Sequence, residues 1–337
     1  MNFTKENQTD KPCRDLYIFF ERYVFFSLTI LNLIFNSLNI IIFKRLILIQ
    51  KNKSDLYKYL LIKSVSDGYF GLRFFIEGLI LFYNPEKKFK DFSSIMFYLI
   101  SIYLGHVAQL ISKVSECFGC FDKLLIFIFC LNNSKTNRII KCLFVVLITF
   151  CILFPTYKFG EYQIEKSGFN TYNSSAFSYQ LKNYSQENNF LATLKFIHSL
   201  FRDIIFLTFS FNFNMATFIF MRKSLVKRKS LLNGNKKQTK VLNYNHKDFQ
   251  IIIMISITTI ISLIGHLSSF LSIVEPKIFD NYCINTFSLG LVYESSYAFD
   301  LVIYLIFNRN FRLMFLNYLH LKKLSVEPAN DKNHTIK

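Results

Sequence analysis

The chain has 337 residues, 52% of them hydrophobic, 18% aromatic and 18% charged, with a formal net charge of +18. Soluble domains carry about 25% charged residues, so this composition excludes an ordinary soluble domain, and 41 Phe beside only 10 Gly and 5 Pro favour long apolar helices over sheet. The basic residues lie between apolar runs and not on an aromatic-studded polar face, which excludes nucleic acid as a partner and points to charge asymmetry across a bilayer.

Residues 1–22 are polar and of mixed charge and are read as an extracellular N-terminus. No cleavable signal peptide precedes the first apolar run, which would serve as a signal-anchor. A helix needs ~20 residues to cross a hydrocarbon core. Seven stretches qualify: Tyr23–Phe43, Tyr59–Tyr83, Ile95–Phe129, Cys142–Phe159, Leu194–Met221, Phe249–Val274 and Ile284–Phe307. The third and fifth hold enough polar residues for a hydropathy window to miss them. NRNFRLMFLNYLH, residues 308–320, reads as a short amphipathic helix on the inner membrane face, and 321–337 as a cytoplasmic tail. The expected fold class is an all-α membrane protein, a seven-transmembrane helix bundle occupying 23–307.

Orientation follows from loop charge. With the N-terminus outside, more than twice as many Lys and Arg fall on the inner loops and tail as on the outer segments. RKSLVKRKS (222–230) and KKQTK (236–240) dominate the inner face and suit anionic lipid. Sequons at Asn2, Asn7, Asn173 and Asn183 fall outside and are glycosylation candidates; others fall inside, so sequons carry little weight.

Ionisable residues inside membrane spans are costly and are functional candidates by default. They are Lys63, Asp67, Arg73, Glu77, Lys113, Glu116, Lys195, Arg202, Asp203, Glu294 and Asp300. Arg73 and Glu77, four apart, and Lys113 and Glu116, three apart, can pair on one helix face. Asp67 and Asp300 are expected to lack such a local partner and to need company from other helices. Asp300 opens DLVIY (300–304), which leads into the amphipathic segment with Arg309, Phe311 and Arg312.

These landmarks resemble those of rhodopsin-like (class A) G-protein-coupled receptors over roughly residues 23–320. FNSLNI places Asn36 at the first-helix Asn, and KSVSD places Asp67 at the second-helix Asp. FDKLLIF places Asp122 and Lys123 at the acid and base that close the third helix. Pro155 matches a fourth-helix Pro, and DLVIY places Asp300 and Tyr304 at the seventh-helix motif. ILFPTYKFGEY (152–162) and YESSYAFDLVIYLIFNRNFR (293–312) look like FMRFamide-type invertebrate neuropeptide receptors, and divergent chemoreceptors look similar. The chain departs from the pattern in having no Trp, Leu301 in place of the seventh-helix Pro, and Lys123 in place of Arg.

The resemblance implies a plasma-membrane receptor that passes an extracellular peptide or small-molecule signal to a heterotrimeric G protein. Asp122, Lys123 and Tyr304 would form the coupling face. Ser112 lies ten residues before Asp122, and Ser296 four before Asp300. By the resemblance these serines join Asn36, Asp67 and Asp300 either around a sodium ion, with Asp67 as its principal ligand, or around water with a shared proton. No other cofactor is implied.

Glu77, His106, Arg202, His266, Tyr293 and Glu294 are candidate ligand-lining residues. Gly105, at the helix-three position where amine receptors carry Asp, argues against amine ligands. Cys13 and Cys283 lie outside, where one disulfide could tie the N-terminus to the last outer loop, two unrelated thiols being the alternative. No catalytic motif is present, so the chain is not read as an enzyme. The competing reading is a polytopic ion or proton-coupled transporter or channel using Asp67, Glu116, Glu294 and Asp300, against which the lack of an internal repeat counts.

Overall fold

The computed structural model describes residues 20–49, 55–83, 88–89, 92–129, 134–171, 174–183, 188–232, 238–274 and 282–319. The body is helical. A π-turn, Phe20–Phe25, leads into α1 (Phe26–Ile49), followed by α2 (Leu56–Tyr83), α3 (Phe92–Phe129) and α4 (Ser134–Leu153). A 3-10 turn, Phe154–Tyr157, joins α4 to the single turn α5 (Lys158–Glu161). Next come α6 (Asn189–Leu200), a π-turn at Phe201–Ile205, α7 (Phe206–Leu232), α8 (Gln238–Val274), α9 (Tyr282–Ala298), α10 (Asp300–Phe307) and α11 (Arg309–Tyr318). Each of the seven apolar stretches falls on these helices.

Four segments are long and apolar enough to cross a membrane: Tyr23–Ile49, Ser93–Leu125, Arg138–Glu161 and Gln250–Leu271. A fifth is the pair Gly290–Ala298 and Asp300–Phe307, bent by 42°. The third stretch therefore passes, and it is the second that falls short beside the fifth. The reason is charge: α2 carries Lys63, Asp67, Arg73 and Glu77, and the fifth stretch holds Arg202 and Asp203 on its π-turn.

The helices close on themselves. α1 packs on α2, α2 on α3, α3 on α4 and α7, α7 on α8, and α8 on α9, while α9, α10 and α11 return to α1. Polar side chains share the interior with apolar ones, while large apolar side chains also cover the outside, unlike a soluble domain. Asn32, Asn36, Asn39, Lys63, Asp67 and Asp300 are buried, while Val145 is 62% and Ile306 58% exposed on outward faces. Small residues permit the closest approaches: a Cβ on Gly265 of α8 would meet Ser296 Cβ and Oγ of α9 at 2.6 Å.

One small sheet lies beside the helical bundle. Strands β2 (Tyr162–Thr171) and β3 (Ser174–Asn183) pair antiparallel from Tyr162↔Asn183 to Thr171↔Ser174. β1 (Lys88–Phe89) adds to the other edge of β3, giving the order β1-β3-β2. Backbone pairing satisfies the polar groups of a segment too polar to join the bundle.

The junction of α10 and α11 is fixed by a cap. Asn308 Oδ1 accepts from the Phe311 backbone N–H at 3.1 Å, starting α11 directly after α10. Arg312 Nη1 donates to the carbonyls of Leu305 (3.4 Å) and Ile306 (3.3 Å), at the negative end of the α10 dipole. Phe311 is fully buried against Phe43 and Tyr304, with ring centroids 5.2 and 5.5 Å away.

Candidate functional site

Charge in the bundle interior is organised on two levels. The first joins α2 to α10. Lys63 and Asp67 are one turn apart on α2, and Lys63 Nζ donates to Asp67 Oδ2 at 2.9 Å. The same ammonium donates to Asp300 Oδ2, at the start of α10. Lys63, Asp67 and Asp300 are 1%, 0% and 2% exposed. The expectation that Asp67 lacks a local partner is therefore overturned, since Lys63 stands one turn away; Asp300, as expected, finds its company on another helix, in the same Lys63.

The other members of the expected ion cluster are only partly assembled. Asn36 Nδ2 donates to the Asn32 carbonyl at 3.1 Å and to the Asn32 side-chain oxygen. Ser112 is fully buried, with its hydroxyl unpartnered. Ser296 donates to the Tyr293 carbonyl at 2.7 Å and packs against Gly265. The place between the two carboxylates is taken by an ammonium group, so these residues do not fit a sodium ion. Among the described residues, no group of three or more His, Cys, Asp or Glu is placed to hold a metal.

Beside this pair, Lys113 and Glu116 of α3 are 3.8 Å apart, and the Lys113 ammonium lies 5.1 Å from the centre of the Tyr297 ring. The Glu116 carboxylate oxygens make no hydrogen bond. Glu116, Lys63 and Tyr304 line a small cavity with Leu56, Gly119 and Thr258. Tyr304 is fully buried, edge-on to Phe43 at 5.1 Å, its hydroxyl unpartnered. Asp122 and Lys123 lie on the same helix as Glu116, about two turns further on, and are partly buried.

The second level is a closed ring of hydrogen bonds joining four segments. Arg202 and Asp203 are neighbours on the π-turn. Arg202 Nε and Nη2 donate to the two Asp203 oxygens at 2.7 and 2.5 Å. Asp203 Oδ1 is 2.7 Å from His266 Nδ1 of α8, and His266 Nε2 is 3.1 Å from the Tyr297 hydroxyl of α9. Tyr297 Oη lies 3.2 Å from Tyr293 Oη, and Gln109 Nε2 of α3 donates to Tyr293. Gln109 Oε1 accepts from Arg202 Nη1 at 3.2 Å, closing the ring. Tyr297 has one proton to give. It donates to Tyr293 when His266 carries both ring protons, and to Nε2 when the imidazole is neutral.

Of the expected ligand-lining residues, the structure brings Arg202, His266 and Tyr293 together in this ring. Glu77 is held elsewhere, by Arg73 Nη2 and by the Tyr98 hydroxyl, each at 2.9 Å. His106 packs edge-on against His198 at 5.1 Å. Glu294 is buried on α9. A further group was not anticipated: Glu161 is bonded by Lys158 of its own turn and by Lys195 of α6 at 3.3 Å.

Cys13, Asn2, Asn7 and Asn173 lie outside the described residues, as does the 321–337 tail. Cys283 lies on α9, and Asn183 ends β3. Cys117, Cys120, Cys142 and Cys151 are free thiols.

Lys63 was legible by the i,i+4 rule that pairs Arg73 with Glu77. The roles of Gln109, Asp203 and Tyr297 depend on contacts between distant segments, which no sequence spacing marks. No family model and no curated protein matches the chain.

Proposed function

We propose that this chain is a seven-helix receptor of the plasma membrane, of the rhodopsin-like class. Its N-terminus lies outside, and it transmits binding of an extracellular peptide or chemosensory ligand to a heterotrimeric G protein. The observation that carries the reading is the inner end of the last span. There the 42° bend between α9 and α10 sets Asp300 against α2. One turn on, Tyr304 packs between Phe43 of α1 and Phe311 of the amphipathic α11. This is the residue order on which the resemblance rests, on a segment that joins the buried charges to the inner surface.

In this reading Arg202, His266 and Tyr293 underlie the ligand pocket. Asp122, Lys123 and Tyr304 face the G protein, and Arg222 and Lys223 at the exposed end of α7 extend that face toward anionic lipid. Agonist binding favours a state with the inner cavity open, a shift between two conformations. The ladder of buried ionisable groups from Arg202 to Glu116 also suits a proton or cation path, the second reading.

A G-protein biosensor in cells expressing the chain, challenged with an amidated-peptide library, separates the two. A peptide response that Lys123→Ala abolishes supports the receptor. Silence to every peptide, with a cation or proton current that Glu116→Gln abolishes, sinks it and favours transport.

A further inference from the structure

Two buried carboxylates from different helices meet here, and the cation between them belongs to the chain. Anions this close destabilise each other unless a positive charge or a proton intervenes. Lys63 Nζ donates to both Asp67 and Asp300, and none of the three is more than 2% exposed. A hard metal ion in such a place is held by oxygen ligands. Yet an ammonium already occupies the point between the carboxylates, and it would repel a second cation. Ser296, an oxygen the ion would need, is turned to the Tyr293 carbonyl.

We propose that Lys63 is a tethered counter-ion standing in place of a bound metal cation, so that the α2–α10 link is built in and indifferent to ambient sodium. The carboxylates become a sodium site only when the ammonium is removed. Asp67 Oδ1, Asn36 Oδ1 and the Ser112 hydroxyl are buried and unpartnered, oxygens that an ion in the vacated space could recruit. The proposal deepens the receptor reading by making such a receptor sodium-insensitive. It does not depend on that reading, since these charges meet whether or not the chain signals.

The test is thermal unfolding of the purified full chain in detergent, in sodium chloride and in choline chloride at equal ionic strength. Wild type is expected to melt at the same temperature in both. Lys63→Ala is expected to lose several degrees in choline and to regain most of the loss in sodium or methylammonium chloride. Adding Asp300→Asn to Lys63→Ala leaves one carboxylate where there were two. This double variant should recover stability in choline and lose the sodium response.

Sodium-dependent stabilisation of wild type overturns the proposal. So does a Lys63→Ala protein as stable as wild type in choline, or one whose loss neither the added cations nor Asp300→Asn relieves. If Lys63→Ala does not fold, the double variant decides: a folded, sodium-blind protein supports the tethered cation, and an unfolded one overturns it. No outcome involves an agonist, so failure here leaves the receptor test standing.

Discussion

Asp203→Asn keeps the side-chain shape and removes one charge from the hydrogen-bonded ring. Asp203 is fully buried and accepts from Arg202 Nε and Nη2 and from His266. In the variant, the amide nitrogen must face one of these N–H donors, and the Arg202 guanidinium stays charged in the interior. Removing one partner of a buried pair costs about 3–5 kcal/mol. A single neutral hydrogen bond between helices in a membrane averages only about 0.6 kcal/mol. The two values differ several-fold, so the loss tells a charged ring from a loose one.

Denaturant titration in detergent micelles measures that loss. A thiol-reactive dye reports unfolding, because Cys117, Cys120 and Cys151 are buried. Replacing the pair together, Arg202→Met with Asp203→Leu, removes both charges. That double variant should retain a deficit of about 1–3 kcal/mol, from the His266 N–H and the Gln109 carbonyl left unpaired. A loss below about 1 kcal/mol in Asp203→Asn, or a double variant less stable than the single one, would refute the reasoning.

Three further outcomes follow from packing and charge, each read by the same titration. Phe311→Ala should cost about 3–5 kcal/mol, because its fully buried ring fills the space between Phe43 and Tyr304. Gly265→Ala should destabilise more than Gly105→Ala. The Gly265 Cβ would press on Ser296 Cβ at 2.6 Å with the Val292 carbonyl behind it, whereas the atoms nearest a Gly105 Cβ belong to the long Arg73 side chain, which can swing aside. Glu116→Gln should cost about 3–5 kcal/mol, since it leaves the buried Lys113 ammonium, 3.8 Å from that carboxylate, without its ion partner.

The long helices were legible because apolar runs leave the backbone no alternative inside a bilayer, although among the described residues four segments, or five with the bent pair, are long and apolar enough to cross. The amphipathic α11 was legible from Arg309 and Arg312 interleaved with Phe311, Met314 and Phe315. The β2–β3 hairpin was not, since its segments alternate weakly and carry Ser, Asn and Lys. Arg73 with Glu77 was readable from spacing, and Lys63 with Asp67 obeyed the same rule. It was missed because the charges near Asp67 were set on other turns or faces, although a spacing of four places Lys63 one turn away on the same face. The ring was beyond sequence reasoning. Neighbouring residues on a helix diverge by about 100°, and here the long Arg202 side chain bridges that angle to reach both Asp203 oxygens and Gln109.

A receptor of seven crossings requires its termini on opposite sides of the membrane. Epitope tags at each end, probed with antibody on intact and on permeabilised cells, read this directly. The account predicts that the N-terminal tag is stained on intact cells and the C-terminal tag only after permeabilisation. Both tags stained on the same side would mean an even number of crossings and would contradict it.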